Sequence, residues 1–258
     1  MKPRLLAAAA AAALVVALTS CSAPPDAEST DTASAAASAP ASAPPSEATP
    51  TTEPEPVPSC LQIDTTEPTV DGTTLGTCIS DALPVIGTFK ATSDMSGEPQ
   101  EVEIRLRPDV ALHGRSPDNE VIYLDDIAYT NEGDGWVKGD IGSDDPEEYV
   151  AGAAGLALLT AFAGDVLKQS IAACPVWNIE VASKKITLPD STVVDSRVFS
   201  CAAPFESFGM TVSPMNVWIG ADWTPYGYES TVTGLGQIVE GVSFYYDHGV
   251  PVEIVAPV

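Results

Sequence analysis

Hydrophobic and polar residues alternate over much of the chain after residue 60, and this period of two predicts β-strands. In Gln100–Arg107, for example, Val102, Ile104 and Leu106 are separated by charged side chains, as in a strand with one buried face. Further strands are predicted over Val85–Thr92, Glu120–Leu124, Ile127–Thr130, Gly135–Lys138, Val176–Ala182, Lys185–Leu188, Thr192–Ser200, Thr211–Ile219, Tyr226–Thr233, Val239–Tyr246 and Val252–Val255. Many short strands divided by turn residues are typical of a curved antiparallel sheet or an open barrel.

Two stretches have helical spacing instead. Thr73–Leu83 places apolar residues three and four positions apart and is followed by Pro84, which predicts a helix that ends there. A second helical region begins at Asp145-Pro146, because an N-cap residue followed by proline at the first helical position is a strong start signal. We expect this second region to continue to about Ser170.

The middle of the second helical region, Tyr149–Gly164, contains 16 residues without a charge. It is too short and too rich in glycine to predict a membrane span. A helix on a sheet normally keeps one polar face in water, and a helix that is apolar all round is normally buried. Three arrangements stay open: the helix is sandwiched in the core, one side of it lines an apolar cavity, or it contacts a partner.

The N-terminus resembles a bacterial export and lipidation signal. Lys2 and Arg4 precede the uncharged run Leu5–Leu18, and residues 18–21 read Leu-Thr-Ser-Cys, similar to a lipobox. In that motif residues 1–20 are removed and Cys21 carries a diacylglyceryl group, whose two chains are enough for stable anchoring. The alternative is an ordinary secretory signal with an incidental cysteine. The lipobox interpretation places the protein on the outer face of the cell membrane.

A polar linker follows the lipidated cysteine. Cys21 and the linker together occupy residues 21–59. Residues 22–59 contain nine Pro and six acidic residues but no Lys, Arg, Gly or aromatic residue. Such a composition cannot bury a core, so we expect a disordered spacer, with or without surface O-glycosylation. Residues 60–258 then form the folded domain.

Four cysteines remain in that domain: Cys60, Cys78, Cys174 and Cys201. An even number in an exported chain predicts two disulfides, for which three connectivities are possible. We favour Cys60–Cys78 and Cys174–Cys201, because each closes a local loop.

Charge and candidate chemistry narrow the function classes. The chain has 11 Lys and Arg against 36 Asp and Glu, a formal charge of −25, which argues against nucleic acid as a partner. The only histidines, His113 and His248, fall in sequences that predict solvated turns. We find no motif of a hydrolase, a phosphate-binding loop or a metal site, so we expect no catalytic residues, no cofactor and no metal.

Several short motifs resemble those of the actinobacterial LppX/LprAFG lipoproteins. Asp145-Pro146 before Gly155–Leu159 is similar to the acidic-Pro turn and Gly-Leu-Ala-x-Leu-Leu helix of that family. Val217–Ile219 is similar to its Val-Trp-Ile strand, and Gly249–Pro257 to its closing Gly-x-Pro-Val segment. The four cysteines of the domain and the polar stretch around residues 191–214 depart from the family pattern.

The resemblance implies an α+β fold: a curved antiparallel half-open β-barrel or sheet wrapped over α-helices, with an apolar cavity, as in the Lol carriers. It also implies a non-catalytic protein that binds or carries a lipid, a glycolipid or another hydrophobic molecule. The alternative is a surface interaction module that binds a protein or a cell-wall polymer, and a protein partner stays unidentified. The candidate cavity lining consists of Leu156, Leu159, Phe162, Val166 and Leu167 on the helical region and of Ile104, Leu106 and Trp218 on strands.

Overall fold

The computed structural model of the chain describes residues 57–94, 99–162, 165–201, 203–234 and 236–257. The predicted signal peptide, Cys21 and nearly all of the linker lie outside this part of the chain. The helices of the described part are α1 (Gly72–Ile86), α2 (Pro146–Phe162), α3 (Asp165–Ala173) and a short 3-10 helix at Cys60–Gln62. Its strands are β1 (Thr69–Asp71), β2 (Thr88–Ser93), β3 (Gln100–Arg105), β4 (Ala111–Ser116), β5 (Asn119–Leu124), β6 (Ile127–Asn131), β7 (Trp136–Lys138), β8 (Val176–Ile179), β9 (Lys184–Thr187), β10 (Val193–Cys201), β11 (Phe205–Ser207), β12 (Met210–Ile219), β13 (Pro225–Gly234) and β14 (Gln237–Tyr246).

The strands form one open antiparallel sheet with three α-helices in the described residues, so the predicted α+β class is confirmed. Twelve strands follow the order β1-β8-β10-β12-β13-β14-β2-β3-β4-β5-β6-β7, while β9 pairs with β10 and β11 with β12. The sheet has two sides because neighbouring side chains on a strand point in opposite directions. On β12, Val217 and Ile219 pack with α1 and α3, whereas Trp218 between them packs on the other side. We call these the helix side and the outer side.

Helix α1 begins where the sequence predicts but extends further. Asp71 caps its start, with a side-chain oxygen that accepts the N–H of Thr74 at 2.9 Å. The helix continues through Pro84 to Ile86 and ends at Gly87, whose φ of +82° favours glycine. The predicted end at Pro84 and the predicted strand start at Val85 are therefore wrong, because a proline in the last turn removes one hydrogen bond without stopping the helix.

The second helical region consists of two helices instead of one. Asp145 starts α2, since its carboxylate accepts the N–H of Glu147 at 2.8 Å. α2 ends at Phe162, and α3 then packs closely against α1. A Cβ atom added at Gly76 of α1 would lie 2.7 Å from the carbonyl oxygen of Lys168, so this approach needs glycine. No single helix in the described residues is long and apolar enough to span a membrane, while α2 together with Val166–Ala173 meets that test as a pair bent by 54°.

Two further differences concern the outer side of the sheet. Residues 111–116 form strand β4, so His113 lies in a strand and the predicted turn is wrong. Val252–Val255, predicted as a strand, has no strand partner in the described residues, but Ile254 is buried against Ala111 and Ile122 on the outer side. Its apolar alternation reflects burial by packing alone, which a pattern of period two cannot distinguish from strand pairing.

Both predicted disulfides are present. Cys60–Cys78 joins the 3-10 helix to α1, and Cys174–Cys201 joins the end of α3 to β10. Their Cα atoms are 4.6 and 6.4 Å apart, within the range of ordinary disulfides. The pairing chosen for its local loops is therefore confirmed.

Candidate site for a hydrophobic ligand

Helix α2 lies on the helix side of the sheet, across β4, β5, β6 and β7. Its buried residues are Ala151, Gly152 and Gly155, all small. A Cβ atom added at Gly155 would lie 2.2 Å from the Cβ atom of Ala128 on β6, so the helix and the strand touch where neither has a large side chain. This contact places the middle of α2 directly on the sheet.

The C-terminal half of α2 meets the sheet differently, through large apolar side chains that stay half-buried. They pack beside a fully buried layer that includes Phe89, Ile104 and Leu112 on the strands. We define the α2 interface as these half-buried side chains together with the ones they meet on neighbouring elements. It consists of Leu158, Leu159 and Phe162 on α2, Leu167 on α3, Tyr123 on β5 and Leu106 after β3. Side chains between a helix and a sheet are normally buried, so partial exposure here indicates incomplete closure of the two layers.

Most of the predicted lining residues meet at this place. Leu159, Phe162 and Leu167 belong to the α2 interface with Leu106, and Ile104 is fully buried beneath them. Val166 is half-buried on α3. The sequence reasoning missed Leu158 and Tyr123, although Leu158 is one residue from a predicted position and faces Gly114 on β4.

Two predicted lining residues lie elsewhere. Leu156 is 49% exposed, because it lies about 100° around α2 from Gly155, beyond the residues that contact the sheet. Trp218 lies on the outer side of the sheet, where its ring stacks on Phe244 at a centroid distance of 5.6 Å. The apolar character of both residues was evident in the sequence, but the side they face depends on helix phase and strand register.

Two tyrosine hydroxyls, those of Tyr123 and Tyr245, lie at or beneath the α2 interface. Tyr123 donates its O–H to a carboxylate oxygen of Asp126 at 3.0 Å, and burial raises the pKa of Tyr123. Tyr245 is buried in the layer beneath, and the loss of solvation raises its pKa well above the ordinary value for tyrosine. Both phenols therefore stay neutral at physiological pH.

A charged cluster occupies the outer side of the sheet. Arg115 donates to a carboxylate oxygen of Glu103 at 3.2 Å, and one of its nitrogens lies 2.9 Å from Nδ1 of His113. Burial, followed by the nearby guanidinium, lowers the pKa of His113. Within the described residues no group of three or more His, Cys, Asp or Glu side chains could hold a metal ion.

His248 follows β14 and is half-buried, so its prediction as a solvated turn residue is only partly right. Its ring lies between those of Phe89 and Tyr226, at centroid distances of 6.1 and 5.7 Å. Nε2 lies 3.1 Å from the carbonyl oxygen of Pro225, and burial lowers the pKa of the imidazole. The ring is a packing element of the turn.

Two surface pockets lined by described residues lie near the start of α1, away from α2. Their volumes are about 290 and 220 Å³. Polar side chains dominate the walls, with Asp64, Glu67 and Asp71 in the larger pocket and three threonines in the smaller. Their polar walls suit neither pocket to an acyl chain, whereas the α2 interface is lined by apolar side chains.

Comparisons with known proteins give matches among solved structures. No family model and no curated protein sequence matches the chain. LprF from Mycobacterium bovis is 11% identical over 72% of this chain and 96% of its own, with a TM-score of 0.43. The lipoprotein LppX from Mycobacterium tuberculosis is 15% identical over 71% of this chain and 98% of its own, also with a TM-score of 0.43. The chain is thus similar in structure to these two mycobacterial proteins.

Proposed function

We propose that the protein is a cell-envelope lipoprotein that binds or carries a lipid, a glycolipid or another hydrophobic molecule at the α2 interface. The observation that carries this proposal is the half-burial of Leu158, Leu159 and Phe162 between a helix and a sheet. These side chains face the sheet, yet they keep part of their apolar surface accessible. A ligand that completes their burial would gain stabilisation there.

The energetic requirement for carrying a lipid is large enough to need such a surface. Each methylene of an acyl chain that leaves water contributes about 0.8 kcal/mol, so ten methylenes contribute about 8 kcal/mol. Leucine and phenylalanine side chains on α2 provide the apolar contacts for this transfer. The neutral hydroxyls of Tyr123 and Tyr245 add no charge that would need a counter-ion.

The proposed location follows from the N-terminal motif. Diacylglyceryl modification of Cys21 would hold the protein at the outer face of the membrane, and the proline-rich linker would let the domain move away from it. An extended chain rises about 3.1 Å per residue, so residues 22–59 reach on the order of 100 Å. The mass of the mature N-terminal peptide tests the anchor, and an unmodified Cys21 would contradict it.

The binding proposal is tested with a pair of matched substitutions on one helix. Leu159→Gln makes a side chain of the α2 interface polar, whereas Leu156→Gln makes the same change on the exposed side of α2. Both proteins are purified from the membrane, and extracted lipid per protein is measured together with native mass spectra. A circular dichroism spectrum and an unfolding temperature establish that each variant is folded.

We expect Leu159→Gln to weaken binding and Leu156→Gln to leave it unchanged. Losing the burial of one leucine costs about 1.5–3 kcal/mol, which is about ten- to a hundredfold in affinity. Equal lipid content in both folded variants, or no co-purifying lipid in the unsubstituted protein, would overturn the proposal.

A further inference from the structure

Helix α2 and the loop before it expose large apolar side chains on the sides of the helix that do not contact the sheet. Tyr149, Val150 and Leu156 expose 53, 47 and 49% of their surfaces, and Ile141 beside Gly152 exposes 59%. We call these four residues the α2 outer patch. A surface helix of an ordinary soluble domain has polar residues on this side, so the patch is unlike a solvated face.

One end of the α2 outer patch is strongly acidic. Five exposed carboxylates precede or begin the helix: Asp140, Asp144, Asp145, Glu147 and Glu148. The sequence from 139 to 167 contains no lysine or arginine, and Lys138 at the end of β7 is the neighbouring cation along the chain. The patch therefore combines an apolar centre with one negative rim.

We propose that the α2 outer patch docks a protein partner whose own apolar contact is bordered by lysine and arginine residues. A partner of that kind would bury the apolar side chains and place positive charge against the acidic rim. Opposite charges at a rim mainly speed association and select the partner, and their effect weakens with salt. This docking surface uses the exposed side chains of α2, whereas the α2 interface uses the half-buried ones, so the docking proposal does not depend on the proposed lipid site.

Two other occupants fit the patch less well. An anionic membrane surface would repel the acidic rim of a chain whose formal charge is −25. A second copy of the chain would bring the same acidic rim, and the two negative rims would repel each other. A 17-residue helix is about 25 Å long, so a face about 10 Å wide buries about 250 Å² per partner, against about 800 Å² in a standard stable interface. The small area fits a transient contact with a complementary partner better than a stable dimer.

The test is photo-crosslinking from the patch in the full, membrane-anchored chain. A photoreactive amino acid replaces Val150, and a matched control places it at Val193 on β10, which is 58% exposed and distant in the sheet order. Adducts formed in cells of the native host are resolved by mass, and the crosslinked peptide is sequenced. The same experiment is repeated with Asp144→Asn and Glu147→Gln combined.

We expect a discrete protein adduct from Val150 that is absent from Val193, with lysine or arginine beside the crosslinked residue of the partner. The purified partner should bind the chain, and raising NaCl from about 50 to about 500 mM should slow association about tenfold. The charge-removing double variant should lose most of the adduct while it keeps its fold and its bound lipid. Adducts with lipid only, adducts of twice the chain mass, equal adducts from Val193, no adduct, or a protein adduct insensitive to charge would each overturn the proposal.

Discussion

The seat of α2 on the sheet depends on the absence of a side chain at Gly155. In Gly155→Ala the new Cβ atom would lie 2.2 Å from the Cβ atom of Ala128, whereas carbon atoms pack at about 3.5–4.0 Å. The helix or the strand must therefore move by about 1.3–1.8 Å at this point.

Two effects of Gly155→Ala oppose each other, and the structure allows their sizes to be compared. Alanine in place of glycine favours a helix by about 1 kcal/mol, while overpacking a close contact costs about 1–3 kcal/mol. We expect a net loss of about 0–2 kcal/mol in the free energy of unfolding. Because this net value is small, a second substitution is needed to isolate the contact.

Ala128→Gly removes the atom that the new methyl group would strike. In the double variant the free energies of unfolding should deviate from additivity by about 1–3 kcal/mol in the stabilising direction. Gly155→Ala with Ala91→Gly is the matched control, because β2 lies four strands from β6, about 19 Å away, and should give additive values. Urea unfolding followed by tryptophan fluorescence supplies the measurement. Additivity within about 0.5 kcal/mol in the Ala128 cycle would refute the assigned contact.

Three other predictions concern stability. Replacing Cys174 and Cys201 by serine should lower the free energy of unfolding by about 3–4 kcal/mol, since the disulfide closes a loop of 27 residues; an unchanged urea midpoint would contradict this. Burial lowers the pKa values of His113 and His248 below the unfolded value of about 6.5. Below about pH 6.5 the unfolded chain therefore binds more protons than the folded chain, and the free energy of unfolding falls as the pH drops. Glutamine in place of both histidines should make the loss between pH 7.5 and 5.0 smaller, and an equal loss in the two proteins would exclude this linkage. Trp177→Phe removes a buried N–H donor to a carbonyl of α3 at 3.0 Å and should cost about 1–3 kcal/mol, measured by the same unfolding assay.

The strands were the most predictable part of the fold. When one side of a sheet is buried, every second residue of a strand is apolar, and this alternation is visible in the sequence. The alternation around Ile104 predicted β3, and the corresponding runs predicted most of the other strands. Strand β4 was missed because Ala111–Ser116 contains His113, Gly114 and Arg115, whose mixed pattern resembles a turn. Pairing with β3 and β5 makes this segment a strand, and pairing partners are far apart in sequence.

The candidate site was only partly predictable for a related reason. The uncharged stretch of α2 was evident in the sequence, the α+β class was implied by the family resemblance, and the two local disulfides were the favoured pairing among three. Leu156 and Leu159 are equally apolar in the sequence, yet one is exposed and the other faces the sheet. Helix phase against β6, set by the Gly155–Ala128 contact, separates them.

By itself the sequence indicated which segments are apolar, where α1 and α2 start, that the cysteines of the domain could close two local loops and how acidic the chain is, because these properties depend on composition and on neighbours along the chain. Tertiary structure alone decided that α2 has a half-buried inner side and an exposed outer side, and that Trp218 faces away from the helices. Those properties depend on the packing of distant segments, and an apolar residue gains similar free energy from any apolar neighbour. The direction in which an apolar side chain points is therefore fixed only by the packing of the helices against the sheet.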